Sequence, residues 1–130
     1  MQLNPDQTRR YARQLSLDEV GAEEQRRLLD ATVALHGDGL AVEEAATYLA
    51  AAGVGHILLN PGLARTLRPR LEALNPDVTI LDEGHPTATI ASIAPPSRLG
   101  GSVAALTLLI GLSGAGTAPS FPGFKAVITW

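Results

Sequence analysis

The stretch Val33-Ala34-Leu35-His36-Gly37-Asp38-Gly39-Leu40-Ala41-Val42, continued by residues 43–55, decides the fold. An apolar run meets a glycine turn, and a helical pattern follows at once. Ala45, Ala46, Leu49 and Ala50 fall on one helical face, and small side chains there let a helix sit close to a sheet. Strand, glycine turn and helix open the nucleotide-binding α/β domains, in which backbone N–H groups at the helix start hold phosphate. Here the glycines stop early. Leu40, Ala41 and Val42 stand where more bare backbone belongs, and their side chains are expected to crowd a phosphate. Gly37-x-Gly39 without a third glycine is a weak nucleotide signal, and it equally serves a plain strand-to-helix turn.

Working outward, the same alternation continues. Asn4-Pro5-Asp6 starts a helix running to about Gln14, and a second helix fits residues 21–30. Gly53 ends the helix over 40–52. Residues 57–59 read as a strand. Asn60-Pro61 then offers a cap and a first-turn proline to a helix carrying Leu63, Leu67, Leu71 and Leu74 at helical spacing. Residues 78–81 and 87–93 read as further strands. Residues 99–112 form a helix with no charge on any face, expected to be buried on most sides. After a Gly/Pro/Ser loop over 113–123, residues 124–130 form a last strand at an edge. Strands alternating with helices predict a largely parallel sheet with right-handed crossovers.

The chain has 130 residues, 45% of them hydrophobic, and a formal net charge of −3. That suits one globular domain and gives no basic field for nucleic acid. It contains no cysteine, which removes disulfides, cysteine zinc sites and a thiolate nucleophile together. The N-terminus is polar and no apolar run is long enough for a membrane span, so a cytoplasmic protein is expected. His36 is expected to be hydrogen-bonded in the turn, and His56 and His85 to lie in surface turns without a metal role. Ser97, Ser102 and Ser113 lack an elbow motif. Arg65, Arg68 and Arg70 cannot share one helical face and read as solubilising.

Particular residues give the chain a family resemblance. They are Arg10-Tyr11-Ala12-Arg13-Gln14-Leu15, Gly21 with Gln25-Arg26-Arg27-Leu28-Leu29-Asp30-Ala31, Tyr48-Leu49-Ala50-Ala51-Ala52-Gly53-Val54-Gly55, and Leu71-Glu72-Ala73-Leu74-Asn75-Pro76. On these the chain resembles the ThiF/MoeB/HesA family, the bacterial relatives of ubiquitin-activating enzymes. The resemblance implies a minimal Rossmann-like, three-layer α/β domain with a mostly parallel sheet of four to five strands. It spans 1–130 as a single domain, with N-terminal helices over 1–30 and a reduced core over 31–130. Family members are usually about twice this length.

The resemblance also marks what is missing. The family turn G-x-G-G-L-G cradles ATP; Gly37 and Gly39 match its first two glycines and are read as vestigial. The ribose-holding acid at the end of the second strand falls on Asn60 or Pro61. The magnesium-binding D-N-x-x-x-R segment has no counterpart before Pro95, and the cysteine pairs are gone. These losses imply a catalytically deficient relative without ATP or magnesium, acting by binding protein. The implied partners are a second copy, an active activating enzyme, a ubiquitin-like sulfur carrier or a peptide leader. Arg13 corresponds to the family arginine that reaches a partner's ATP; the alternative for it is an ion pair at the surface. The expected interface is the row Leu99, Val103, Leu106 and Ile110. The competing expectations are residual adenylation of a ubiquitin-like C-terminus through Gly37, Gly39 and Arg13, or a nucleotide or small-ligand sensor.

Overall fold

The computed structural model describes residues 22–113 and 122–130. Along the chain come helix α1 (Ala22–Asp30), strand β1 (Thr32–Leu35), α2 (Leu40–Ala52), β2 (His56–Leu58), α3 (Pro61–Leu74), β3 (Thr79–Leu81), β4 (Ala88–Ala94), α4 (Arg98–Ser113) and β5 (Lys125–Thr129). The strands form one sheet in the order β3-β2-β1-β4-β5, parallel except for β5, which runs antiparallel to β4 at the edge. The α/β class, the mostly parallel sheet and the edge position of the last strand agree with the sequence. The helix expected over 6–14, and Arg13 with it, lie outside the described residues.

Register explains which face is buried. Val33, Ile57, Ile80 and Ala88 lie in one row across the sheet, and all four are buried. Helices α3, α2 and α4 pack side by side on that face, with α1 against α4. Leu49, Leu67, Leu71 and Leu108 are the large helical residues that fill it. One residue further along, Ala34, Leu58, Leu81 and Thr89 point to the opposite face, where only Ala34 is fully buried. A strand's period of two separates the rows so cleanly because, among the described residues, only one face meets helices.

The opposite face is crossed by residues 82–87, which carry the chain from β3 over β2 and β1 to β4. A side chain placed on Gly84 would meet Leu58 Cδ1 at 3.6 Å. At the far end the Thr87 N–H donates to the Thr32 carbonyl at 2.7 Å, and Thr87 Oγ1 accepts from the Thr32 N–H at 3.2 Å. Parallel strands of one sheet usually need a crossover of a dozen or more residues with a helix. Here six residues suffice, and they leave no length for one. Of the three layers expected, the described residues therefore supply the sheet and one helical layer, with this strap on the other side. It runs in the opposite direction to the α2 and α3 crossovers and on the opposite face, so all three share one hand.

Two sequence details come out differently. Leu63, Leu67 and Leu71, set at helical spacing, are buried, but Leu74, the last residue of α3, is 46% exposed. His56 does not sit in a surface turn. It is the first residue of β2, half-buried, and among the described residues its buried Nδ1 has no hydrogen-bond partner. Its N–H donates to the Ala31 carbonyl, which draws it into the sheet.

Candidate functional site

The candidate site lies at the carboxyl end of the parallel strands, where β1 turns into α2. The chain leaves β1 at His36, whose N–H donates to the Ile90 carbonyl at 3.0 Å while the residue itself stays exposed. Gly37 and Gly39 have φ of 90° and 97°. A Cβ at either would meet nothing within 4 Å. Glycine is therefore needed for the left-handed backbone and not for space. Gly39 caps α2 without any side-chain hydrogen bond, so the first N–H groups of the helix face outward with no cap from a side chain.

The crowding expected of Leu40, Ala41 and Val42 is confined to one residue. Leu40 is 51% exposed, whereas Ala41 and Val42 turn into the core. A helix rotates by about 100° per residue, so three consecutive positions cannot all face one ligand. Across the turn, Asn60 makes two bonds. Its Oδ1 accepts from the Leu63 N–H at 2.8 Å, capping α3, and its Nδ2 donates to the Gly37 carbonyl at 3.0 Å. The side chain at the end of β2 is thus spent on holding the turn.

The electrostatics are acidic. Asp38 is exposed on the turn, and Glu43 and Glu44 follow in the first turns of α2. The arginines that reach α2 are engaged there: Arg70 lies 3.9 Å from Glu43 and donates to Thr47 Oγ1 at 3.2 Å, and Arg98 lies 4.0 Å from Glu44. Arg68 donates to the Ile80 carbonyl at 3.2 Å. Two of the three arginines read as solubilising therefore tie α3 to its neighbours. For a triphosphate with magnesium these donors fit poorly: a bare helix start is offered, but with carboxylates around it. No group of three metal-ligating side chains is found among the described residues.

Helix α4 begins hard against the same place. A Cβ on Gly101 would fall on the carbonyl of Ala41, and one on Gly100 on the carbonyl of Pro95. Ser97 Oγ accepts from the Gly100 N–H at 3.1 Å and starts the helix. Of the expected interface row, Leu99 is 62% exposed, while Val103, Leu106 and Ile110 are half-buried. The structure thus brings Gly37 and Gly39 together with Asn60 and the start of α4.

The comparisons agree with this architecture. No protein-family model matches the chain. Over 81 residues it is 40% identical to the heterocyst protein HesA of Trichormus variabilis, a match covering 62% of this chain and 29% of that protein. This is a ThiF/MoeB/HesA-like domain. It spans less than a third of the length of the relative it matches. The crystal structure of selenomethionine PaaA superposes with a TM-score of 0.70 at 12% identity, over 98% of this chain and 74% of that one. E. coli MccB with succinimide gives 0.67 at 11% identity, over 92% and 70%. At such identities these two show the fold alone.

Within this ThiF/MoeB/HesA-like domain, several contacts are not legible in the sequence. Asn60-Pro61 announces a helix cap, but nothing local announces the second bond to Gly37. Gly100-Gly101 inside an apolar helix was the available sign of a close helix crossing. Arg68 and Arg70 carry no such sign, since their partners lie on other elements. No described helix is long and apolar enough to cross a membrane.

Proposed function

We propose that this ThiF/MoeB/HesA-like domain is a catalytically deficient relative that works by binding protein, as a dimerising or partnering subunit in the cytoplasm. The observation that carries the reading is Asn60. The position where family resemblance implies a ribose-holding acid instead holds an amide bonded to the Gly37 carbonyl and the Leu63 N–H. Leu40 stands exposed in front of the turn, and Asp38, Glu43 and Glu44 make its surroundings unfavourable to phosphate. ATP and magnesium have no role in this reading. Its partners are a second copy, a related activating enzyme, a ubiquitin-like protein or a peptide leader.

The competing reading, residual nucleotide binding, draws on the positive φ of Gly37 and Gly39 and the uncapped start of α2. One experiment separates them. ATP with magnesium is titrated against thermal stability, and pyrophosphate exchange is followed in parallel. Binding N but not U raises the melting temperature by mass action. No shift and no exchange are expected; a saturable shift with exchange refutes the proposal.

A further inference from the structure

The two edges of the sheet differ in how they are closed. At the β3 edge the Thr79 N–H donates to the Gly55 carbonyl, and the Leu81 carbonyl accepts from the Leu59 N–H. Both residues turn their backbone toward β2, so Ile80 between them turns its own outward. Arg68 covers the Ile80 carbonyl there at 3.2 Å. β3 is also only 3 residues long and runs into Asp82 and Glu83. A short strand, a covering cation and adjoining charge are means by which proteins block an edge. β5 has 5 residues and no proline, and its one charge, Lys125, stands at its first position. Among the described residues no strand lies beyond it. The Ile90 carbonyl accepts from His36 on the β1 side. Ile90 and its β5 partner Ile128 therefore share no hydrogen bond, and the backbone groups of Ile128 point out of the sheet.

Apolar surface flanks this open edge. Helix α4 meets α2 through Gly101 and also packs on β4 and β5. At about 100° per residue, Leu99, Val103, Leu106 and Ile110 lie about 140–200° round the helix from Gly101. That flank is turned away from α2, on the β5 side, and its residues are exposed or half-buried. On the other face of the sheet Val127 is 56% exposed, and Trp130, 63% exposed, closes the end of β5 against Gly111. Lys125 pairs with Ala94, so it stands at the carboxyl end of β4.

We propose that β5 accepts an extended peptide segment of another protein as a further strand, antiparallel to β5. Its alternate apolar side chains lie against the α4 flank, and an acidic group at its carboxyl-terminal end lies beside Lys125. Antiparallel pairing is the more stable kind, and it makes the segment run as β4 does, toward Lys125. Main-chain bonds supply affinity in such additions, and alternate side chains supply specificity. The proposal rests on the reading that this domain works by binding protein, and it narrows the partner to a peptide.

The probe is a fluorescein-labelled peptide of alternating valine and threonine ending in two aspartates, followed by fluorescence anisotropy on the full chain. Saturable binding is expected, with slower amide hydrogen exchange at Ile128. Peptides methylated on alternate backbone nitrogens decide the mode. Strand addition aims only every second N–H at β5, so one methylated set is expected to lose more than about tenfold in affinity and the other to stay within about twofold. Lys125→Glu changes an exposed side chain. It is expected to weaken the aspartate-ended peptide about fivefold and to favour one ending in two lysines. Absence of saturable binding overturns the proposal. So does equal loss from both methylated sets, which would mark binding by side chains alone. Protection of Ile128 that rises with protein concentration in the absence of peptide also overturns it, by marking a second copy at this edge. These failures are distinct from failure of the functional reading, which nucleotide titration and pyrophosphate exchange decide.

Discussion

Gly101→Ala is the substitution whose sign the fold reverses. In an open helix, glycine to alanine stabilises by about 1 kcal/mol, because alanine loses less backbone entropy. At Gly101 the added Cβ would fall on the carbonyl oxygen of Ala41, a backbone atom that no rotamer change can remove. Helices α2 and α4, which pack against each other and carry buried Ala45, Ala46, Ala104, Ala105 and Leu108, would have to part. Overpacking of this kind costs about 1–3 kcal/mol, and backbone-on-backbone overlap belongs at the upper end. Subtracting the propensity gain leaves about 2 kcal/mol of destabilisation. An unfolding entropy of about 2.1 cal/mol/K per residue, over 130 residues, makes 1 kcal/mol worth about 3.7 °C. Gly101→Ala should therefore melt about 7 °C below wild type, followed by circular dichroism. Gly62→Ala is the control. Its Cβ would meet only Asn60 Oδ1 at 3.6 Å, within helix α3, and a gain of about 0.5–1 kcal/mol, or 2–4 °C, is expected. If Gly101→Ala melts at or above wild type, the close seating of α4 on α2 is wrong.

Two further substitutions test the polar anchors. Asn60→Ala removes the α3 cap and the tie to Gly37; a loss of about 1–2 kcal/mol is expected, with faster amide hydrogen exchange in residues 37–42. Unchanged exchange there would show that Asn60 caps α3 and does nothing for the turn. Asn75 is 1% exposed, donates from Nδ2 to the Ala50 carbonyl at 3.1 Å and accepts the Asp77 N–H at 3.0 Å. Asn75→Ala removes both bonds, although the Ala50 carbonyl keeps its bond from the Gly53 N–H at 3.1 Å, and should cost about 1–3 kcal/mol by urea unfolding; a loss under about 0.5 kcal/mol would show that water replaces the amide.

The legible parts of the fold are those with local causes. Five strands and the helices over 40–52 and 61–74 follow from apolar period, Gly53, Asn60-Pro61 and Asn75-Pro76, each of which acts within a few residues. The last strand lies at the sheet edge, as expected. The site was legible as a place: Gly37 and Gly39 mark the turn, and their positive φ is the reason. Its occupancy was not. Leu40, Ala41 and Val42 look alike in a string, and only packing against the sheet decides that one faces out and two face in.

Residue order alone determined the α/β alternation and the glycine turn after the first strand, because these depend on identity and spacing. Tertiary structure decided the rest. It sends residues 82–87 across the sheet as a bare strap, leaving one helical layer among the described residues. It turns Asn60 onto Gly37, and Arg68 and Arg70 onto neighbouring elements. It also seats Gly101 on the Ala41 carbonyl. Each of these joins groups far apart in the chain, and no local propensity carries information about a partner that only folding brings near.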